Sequence, residues 1–145
     1  MIKIAFFGEC MLEKSKNEVF SFGGDSLNSA LYCARVSPKE QITVSYATAI
    51  GQDKESLLLL KQWQQEGIDT HFVSQLEGKQ LGHYSISNND QGERSFSYER
   101  DDSAAKYYFS LHNQFFEAAL LNKTIDCIYF TGISLAILSD QDCQY

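Results

Sequence analysis

The sequence predicts an α/β fold in which a mostly parallel sheet lies beside a small antiparallel β flap. Two strand–helix units follow one another at the start of the chain, and right-handed crossovers join such units into a parallel sheet. Three short strand patterns then occur with no helix between them, which is typical of an antiparallel sheet. With 145 residues, 43% of them hydrophobic, the chain can bury one sizeable core, so we expect one main domain.

The first strand–helix unit begins with an apolar run over residues 2–7, which predicts a buried parallel strand ending at Gly8. Glu9 follows at the carboxyl end of this strand, where open α/β sheets bind their ligands. A surface carboxylate or an internal cap explains Glu9 equally well. The helix of this unit is predicted to end near Val36, before Pro38.

The turn before this helix combines two glycines with short polar side chains. Gly23 and Gly24 allow positive φ and the close approach of a ligand, although an ordinary helix entry explains them equally well. Asp25 or Ser26 is expected to cap the helix by accepting hydrogen bonds from its first turn. Asn28 falls outside the apolar stripe and can present its amide at the mouth of the turn. The stripe expected to pack inward comprises Leu27, Ala30, Leu31 and Ala34.

The second unit starts with a β-branched run over residues 42–50, which predicts a strand closing at Gly51. Asp53 is expected to cap the next helix, which ends at Gly67. The apolar positions that define this helix are Leu57, Leu60 and Trp63.

The flap is predicted from strand patterns over residues 69–76, 82–87 and 94–100. The polar run over residues 88–92 predicts a hairpin turn between the last two. Because side chains alternate along a strand, one face of the last strand carries Phe96, Tyr98 and Arg100, whereas Tyr84 and Ile86 share a face of its partner.

The rest of the chain is predicted to contain helical stretches over residues 104–109 and 115–121, followed by a buried strand over residues 125–132. Residues 139–142 resemble the first turn of a further helix, since acidic residues suit that end of the helix dipole. A helix that starts so close to the last residue leads us to expect that the chain is truncated and is a piece of something longer.

Charge and composition exclude several classes of function. The net charge of −7 argues against nucleic acid or an anionic membrane as a general partner, but a small anionic ligand remains compatible with it. No apolar run approaches a membrane span and the chain opens directly in strand-like sequence, so we expect a cytoplasmic protein. The four cysteines are scattered and are expected to be reduced, and the three histidines lack the spacing of a zinc site. The sequence has neither a phosphate loop nor a dinucleotide-binding glycine motif.

The flap carries a candidate anion site. Arg100 follows Tyr98 by two residues, and a guanidinium can bind a carboxylate through two parallel hydrogen bonds while a tyrosine hydroxyl adds another. Two other interpretations are open. In the first, Arg94 and Arg100 pair with Glu93 and Glu99 on a solvated face. In the second, the tyrosines are cross-strand packing partners.

Four motifs along the chain occur together: residues 8–11, the turn over residues 22–28, Gly51-x-Asp53 and residues 66–70. This set resembles the carbohydrate kinases of the ribokinase (PfkB-type) family. Two further stretches, 92–100 and 129–138, are similar to those members of the family that phosphorylate 2-keto-3-deoxygluconate. The resemblance covers nearly the whole chain.

This resemblance implies a ribokinase-like three-layer fold with a small antiparallel β lid. Residues 1–145 would be the amino-terminal part of the domain, with lid strands inserted from about 10–22 and 70–102. The implied activity is ATP-dependent phosphorylation of the sugar acid 2-keto-3-deoxygluconate to its 6-phosphate, with Mg²⁺. A homo-oligomer formed through the lid is also implied. The substrate contacts carry over onto Gly24, Asp25, Ser26, Leu27, Asn28, Tyr84, Tyr98 and Arg100.

The sequence departs from the family at one motif. Gly-Ala-Gly-Asp, which supplies the family's anion hole and catalytic base, is absent from the chain. The catalytic residues and most of the ATP site are therefore expected in the missing half, and we do not expect catalysis by this chain alone. A ribokinase-type kinase for fructose or ribose and a non-catalytic substrate-binding or dimerising fragment are the alternatives.

Overall fold

The computed structural model describes residues 1–14, 21–89, 91–110, 114–140 and 142, and these residues form two four-stranded sheets. The first sheet has the strand order β5-β4-β1-β8, and all its pairs are parallel. Parallel neighbours need crossover connections, which the helices between these strands supply. Its strands are β1 (Ile2–Phe7), β4 (Ile42–Ile50), β5 (Val73–Gln75) and β8 (Cys127–Tyr129).

Apolar side chains cover both faces of this parallel sheet. Phe6 and Phe7 are neighbours in β1 and point to opposite faces, so they belong to different hydrophobic clusters. The Phe6 cluster includes residues of α1 (Asp25–Val36) and α2 (Lys54–Gln65), whereas the Phe7 cluster includes residues of a 3₁₀ helix (Ala104–Tyr107) and α3 (Gln114–Leu121). The result is the predicted arrangement of helix, sheet and helix layers.

The second sheet, which we call the lid, has the strand order β3-β2-β6-β7. The hairpin of β6 and β7 is antiparallel, as predicted, but β2 and β6 pair in parallel, so the lid is a mixed sheet. Residues 15–20 of the expected lid range, and Asp90 in the hairpin turn, lie outside the described residues. The lid strands are β2 (Met11–Lys14), β3 (Ser21–Gly23), β6 (Gly82–Asn88) and β7 (Arg94–Glu99).

The assignment of residues 69–76 to the antiparallel flap is wrong. Their strand, β5, pairs in parallel with β4 at the edge of the first sheet. Phe72 is buried in the Phe7 cluster and Val73 packs on the Phe6 cluster, so burial of these side chains fixes the segment against the main core.

The two long helices begin differently. Asp53 caps α2 as predicted: its carboxylate accepts hydrogen bonds from the Ser56 N–H at 2.9 Å and from the Ser56 hydroxyl at 2.7 Å. The prediction that Asp25 or Ser26 caps α1 is wrong, because Gly24 occupies the cap position and no side chain of the described residues makes a capping hydrogen bond. Asp25 is instead the first helical residue, and its carboxylate accepts from the N–H of Ser26 at 2.7 Å.

The last elements are placed as expected but are not buried as expected. β8 lies at the edge of the first sheet, where Ile128 is 40% exposed and Tyr129 39% exposed, although the sequence predicts a buried strand. A short helix, α4 (Gly132–Ala136), follows β8 and was not predicted. Gln141, in the predicted helical turn over residues 139–142, lies outside the described residues. No helix in the described ranges is long and apolar enough to cross a membrane.

Candidate functional site at the lid

A pocket of about 260 Å³ opens between the lid, the start of α1 and the carboxyl end of β1. This position matches the rule that open α/β sheets bind ligands beyond the carboxyl ends of their strands. The lining residues come from separate stretches of the chain: Glu9, Met11, Gly23, Gly24, Asp25, Asn28, Tyr84, Phe96, Tyr98, Arg100 and Ile133.

The two glycines of the turn allow close packing on both sides of the chain. Gly24 has φ of +157°, and a Cβ at this position would overlap the backbone carbonyl oxygen of Glu9. A Cβ at Gly23 would lie 3.1 Å from the hydroxyl oxygen of Tyr84. The glycines therefore bring the start of α1, the end of β1 and the lid into contact around one pocket.

The first turn of α1 offers the pocket a polar rim. Asn28 is exposed, and its N–H donates to the Gly24 carbonyl at 2.8 Å while its side chain lines the mouth. Asp25 lines the same rim. The side chains of Ser26 and Leu27 do not: the Ser26 hydroxyl is buried 3.0 Å from that of Tyr46, and Leu27 packs in the core.

The lid presents an aromatic wall. Tyr84 lies opposite Tyr98 across the hairpin, with ring centroids 6.4 Å apart, and the rings of Phe96 and Tyr98 stack at 6.3 Å. Cross-strand packing of the tyrosines is therefore real, and it leaves Tyr98 57% exposed. An apolar ring face with a hydroxyl at its edge suits a ligand with both C–H and O–H groups.

Tyr84 is held as a hydrogen-bond donor to the protein. Its hydroxyl donates to the Glu13 carboxylate at 2.8 Å. Burial, together with this carboxylate, raises the pKa of Tyr84 to about 12. Because the proton is committed to Glu13, the lone pairs of the hydroxyl remain to accept a hydrogen bond from a ligand.

Arg100 forms an ion pair with Glu9 across the pocket wall. The Arg100 side chain is 24% exposed, whereas that of Glu9 is only 2% exposed. The alternative pairing with Glu99 is therefore wrong for Arg100: Glu99 pairs with Lys14 at 2.8 Å on the solvated face of the lid. Glu93 accepts a hydrogen bond from the side chain of Asn89.

Gly82 makes room for this ion pair. A Cβ at Gly82 would lie 2.7 Å from Oε1 of Glu9 and 3.1 Å from Cβ of Arg100. Gly82 is buried in β6, and its φ lies outside the left-handed region that favours glycine, so space is the reason for glycine here.

The lining has one cationic side chain within the described part of the chain, Arg100, and two carboxylates, Glu9 and Asp25. This set can bind hydroxyls and one anionic group. The described residues contain no group of three or more His, Cys, Asp or Glu side chains that could hold a metal ion. A larger groove of about 650 Å³ lies between α1 and α2, but the two charged side chains among its described lining residues, Arg35 and Glu66, already pair with each other.

Six of the eight residues that the sequence assigns to the substrate site lie around the pocket: Gly24, Asp25, Asn28, Tyr84, Tyr98 and Arg100. Glu9 also lines the pocket. Its position at the carboxyl end of β1 predicts a ligand-binding role, although the sequence equally allows a surface carboxylate or an internal cap. Phe96 shares the strand face of Tyr98 and could have been found by the same alternation. No local pattern pointed to Ile133, which reaches the pocket from α4.

The chain is similar in sequence to carbohydrate kinases. The sequence profile of the "pfkB family carbohydrate kinase" matches residues 2–144. A 2-dehydro-3-deoxygluconokinase of Haemophilus influenzae is 47% identical over 146 aligned positions, which cover 98% of this chain and 46% of that protein. The enzyme of the same name from Dickeya dadantii is 40% identical and is matched over 94% of this chain and 44% of its own length. The chain thus spans about half the length of the curated relatives that it matches.

Solved structures show the same fold. The 2-dehydro-3-deoxygluconokinase of Thermotoga maritima superposes with a TM-score of 0.77 at 18% identity, covering 99% of this chain and 46% of that one. A PfkB family carbohydrate kinase of Listeria grayi gives a TM-score of 0.72 at 20% identity, covering 93% of this chain and 43% of that one. At such identities the likeness concerns the fold alone, and that fold is ribokinase-like.

Proposed function

The chain belongs to the pfkB family of carbohydrate kinases, and we propose that its lid pocket binds 2-keto-3-deoxygluconate, also called 2-dehydro-3-deoxygluconate, as the acceptor for phosphorylation by ATP. The product of this reaction is the 6-phosphate. In this proposal, the Gly24–Asn28 turn and the lid of this chain bind the sugar acid. Because the Gly-Ala-Gly-Asp motif is absent, it assigns no phosphoryl-transfer step to these residues.

The position of Arg100 carries the proposal. Arg100 lines the pocket, is 24% exposed, and is the one cation in the described lining. A guanidinium has five N–H donors in a planar fork, so contact with Glu9 through Nη2 leaves other donors for a second carboxylate. An acid group is what distinguishes 2-keto-3-deoxygluconate from the neutral sugars.

The remaining lining suits the hydroxyls and carbon skeleton of a sugar acid. The Asn28 amide can donate and accept, and the Tyr84 oxygen can accept while its proton stays on Glu13. The exposed rings of Phe96 and Tyr98 offer an apolar wall for the C–H face of the ligand.

A matched pair of arginine variants tests the acceptor role. Arg100→Ala removes the pocket cation, whereas Arg94→Ala removes an exposed cation at the other end of β7 that does not line the pocket. Loss of a charge-assisted hydrogen bond is expected to weaken binding of 2-keto-3-deoxygluconate about 10- to 100-fold in calorimetric titrations. D-fructose binding should change much less, and Arg94→Ala should leave both unchanged. Equal losses for the acid and for fructose in Arg100→Ala would refute the carboxylate contact.

A kinase for a neutral sugar such as fructose or ribose is the second candidate, and one observation favours it. Glu9 already neutralises Arg100, and with Asp25 the described lining has a net charge of −1. Such a pocket attracts anions only weakly. Tighter binding of fructose or ribose than of the sugar acid would establish this candidate.

The roles of ATP and Mg²⁺ are proposed from membership of the family. The described residues do not fit a metal site of their own, and the sequence has no phosphate loop. We therefore expect no turnover of 2-keto-3-deoxygluconate with Mg·ATP by the chain alone, even where it binds the sugar acid. In that case it acts as a substrate-binding fragment, and the lid is the surface through which we expect copies to associate.

A further inference from the structure

The carboxylate of Glu9 is the most deeply buried charge in the pocket wall. Its side chain is 2% exposed, and neither oxygen accepts a hydrogen bond from any residue that the structure describes. A buried carboxylate needs compensation, because its removal from water is unfavourable unless a cation or hydrogen-bond donors replace the lost hydration. Arg100 is the cation that contacts it.

The surrounding backbone is shaped to keep these two groups together. Gly82 leaves the space that the Glu9 carboxylate and the stem of Arg100 fill, and the methyl end of Met11 lies 3.3 Å from the position of a Cβ at Gly82. On the opposite face of the lid, Glu99 is paired with Lys14 and does not compete for Arg100. The ion pair is thus a built feature of the wall and not a chance contact of surface charges.

This pairing changes what Arg100 can bind. A free guanidinium attracts any small anion, but here an incoming anion meets both Arg100 and the negative charges of Glu9 and Asp25. Such an anion gains little binding free energy from Arg100 alone, so it binds only if the same molecule also makes contacts elsewhere in the pocket. The α1 turn and the aromatic wall can supply those contacts to a sugar acid, but not to acetate or phosphate.

We propose that Glu9 is the internal counter-ion of Arg100 and a specificity-determining residue of the site. By neutralising the guanidinium it excludes free small anions, and it admits a carboxylate only as part of a ligand that also reaches the Gly24–Asn28 turn. This inference rests on the proposed function for the identity of the sugar acid, but the exclusion of small anions can be tested without it.

The test measures binding of acetate and of inorganic phosphate to wild type and to Glu9→Gln. Binding is monitored in NMR titrations through the ¹⁵N signals of the arginine side chains. Glutamine keeps the size of the side chain and an oxygen acceptor but removes the charge. Glu9→Gln is expected to bind acetate about tenfold or more tightly than wild type, with saturation at Arg100. The gain should disappear in the Glu9→Gln, Arg100→Gln double variant.

The charge-matched control is Glu99→Gln, which removes a carboxylate next to Arg100 in sequence but outside the pocket. It should not increase anion binding. An equal gain in this control, or no gain in folded Glu9→Gln, would overturn the counter-ion role.

Wild type alone gives an independent measurement should Glu9→Gln fail to fold. Acetate should leave the Arg100 signal without a saturable shift, and a saturable shift there would overturn the inference. Binding of 2-keto-3-deoxygluconate is measured in a separate titration. If acetate behaves as expected and 2-keto-3-deoxygluconate does not bind, the proposed function fails while the counter-ion role stands.

Discussion

Substitution of Gly82 by alanine tests whether the pocket wall is as tightly built as the structure indicates. The added Cβ would lie 2.7 Å from Oε1 of Glu9 and 3.1 Å from Cβ of Arg100, where ordinary contact begins at 3.4 Å. Both neighbours would have to move, and because the site is buried, we expect Gly82→Ala to cost about 1–3 kcal/mol of unfolding free energy. For a chain of this size, this corresponds to a thermal midpoint lower by about 3–10 °C.

The assay is thermal and urea unfolding followed by circular dichroism, with Gly132→Ala as the control. A Cβ at Gly132 would meet no atom of the described residues within 4 Å, so this variant should stay within about 0.5 kcal/mol of wild type. Truncation of Glu9 removes the main clash, so Gly82→Ala should cost at least about 0.5 kcal/mol less in a Glu9→Ala background. Equal stabilities of Gly82→Ala and Gly132→Ala would refute the packing argument.

Three further predictions concern a helix cap, a tyrosine and an edge strand. Asp53→Ala should cost about 1 kcal/mol in urea unfolding; a loss below about 0.3 kcal/mol would contradict the capping role. Burial opposes ionisation of Asp53, but the hydrogen bonds from Ser56 outweigh it and lower the pKa of the carboxyl. The stabilisation by the ionised Asp53 cap is therefore complete above the unfolded-state pKa of about 3.9 and is lost as pH falls through the lower folded-state pKa. Below that folded-state pKa, wild type and Asp53→Ala should have similar free energies of unfolding. Tyr84 should ionise with a pKa of about 12. In a pH titration followed by tyrosinate absorbance in the ultraviolet, the difference between wild type and Tyr84→Phe should therefore develop at higher pH than the transition of the other tyrosines. A difference that develops near pH 10 would refute the environment assigned to Tyr84. The exposed edge strand β8 should promote self-association, and Ile128→Lys should reduce it in sedimentation velocity; unchanged association would contradict edge pairing.

The strands and helices were predictable from the sequence where local pattern decides them. The bounds of β1 and β4 agree with their apolar runs, because the carboxyl-terminal parts of both strands are buried and the runs end at glycines. The cap of α2 was also predictable, since Asp53 and Ser56 are three residues apart and interact directly.

Elements that depend on distant contacts were not predictable. The cap position of α1 is taken by Gly24 because the chain there packs on the carbonyl of Glu9, a contact between separated parts of the sequence. The strand over Val73–Gln75 has a flap-like local pattern, but burial of Phe72 fixes it beside β4.

The same distinction applies to the pocket. Strand alternation places Tyr98 and Arg100 on one face, and the glycine turn supplies Gly24 and Asn28, so each cluster can be identified locally. The partner of Arg100 could not be identified locally. Sequence neighbours suggested Glu99, whereas the fold brings Glu9 to the guanidinium.

A crystal structure of the chain with 2-keto-3-deoxygluconate would test the central claim most directly. We predict density for the sugar acid in the lid pocket, with its carboxylate within about 3 Å of the Arg100 guanidinium and its hydroxyls toward Asn28 and Tyr84. A sugar acid whose carboxylate points away from Arg100, or that occupies the groove between α1 and α2 instead, would contradict the account.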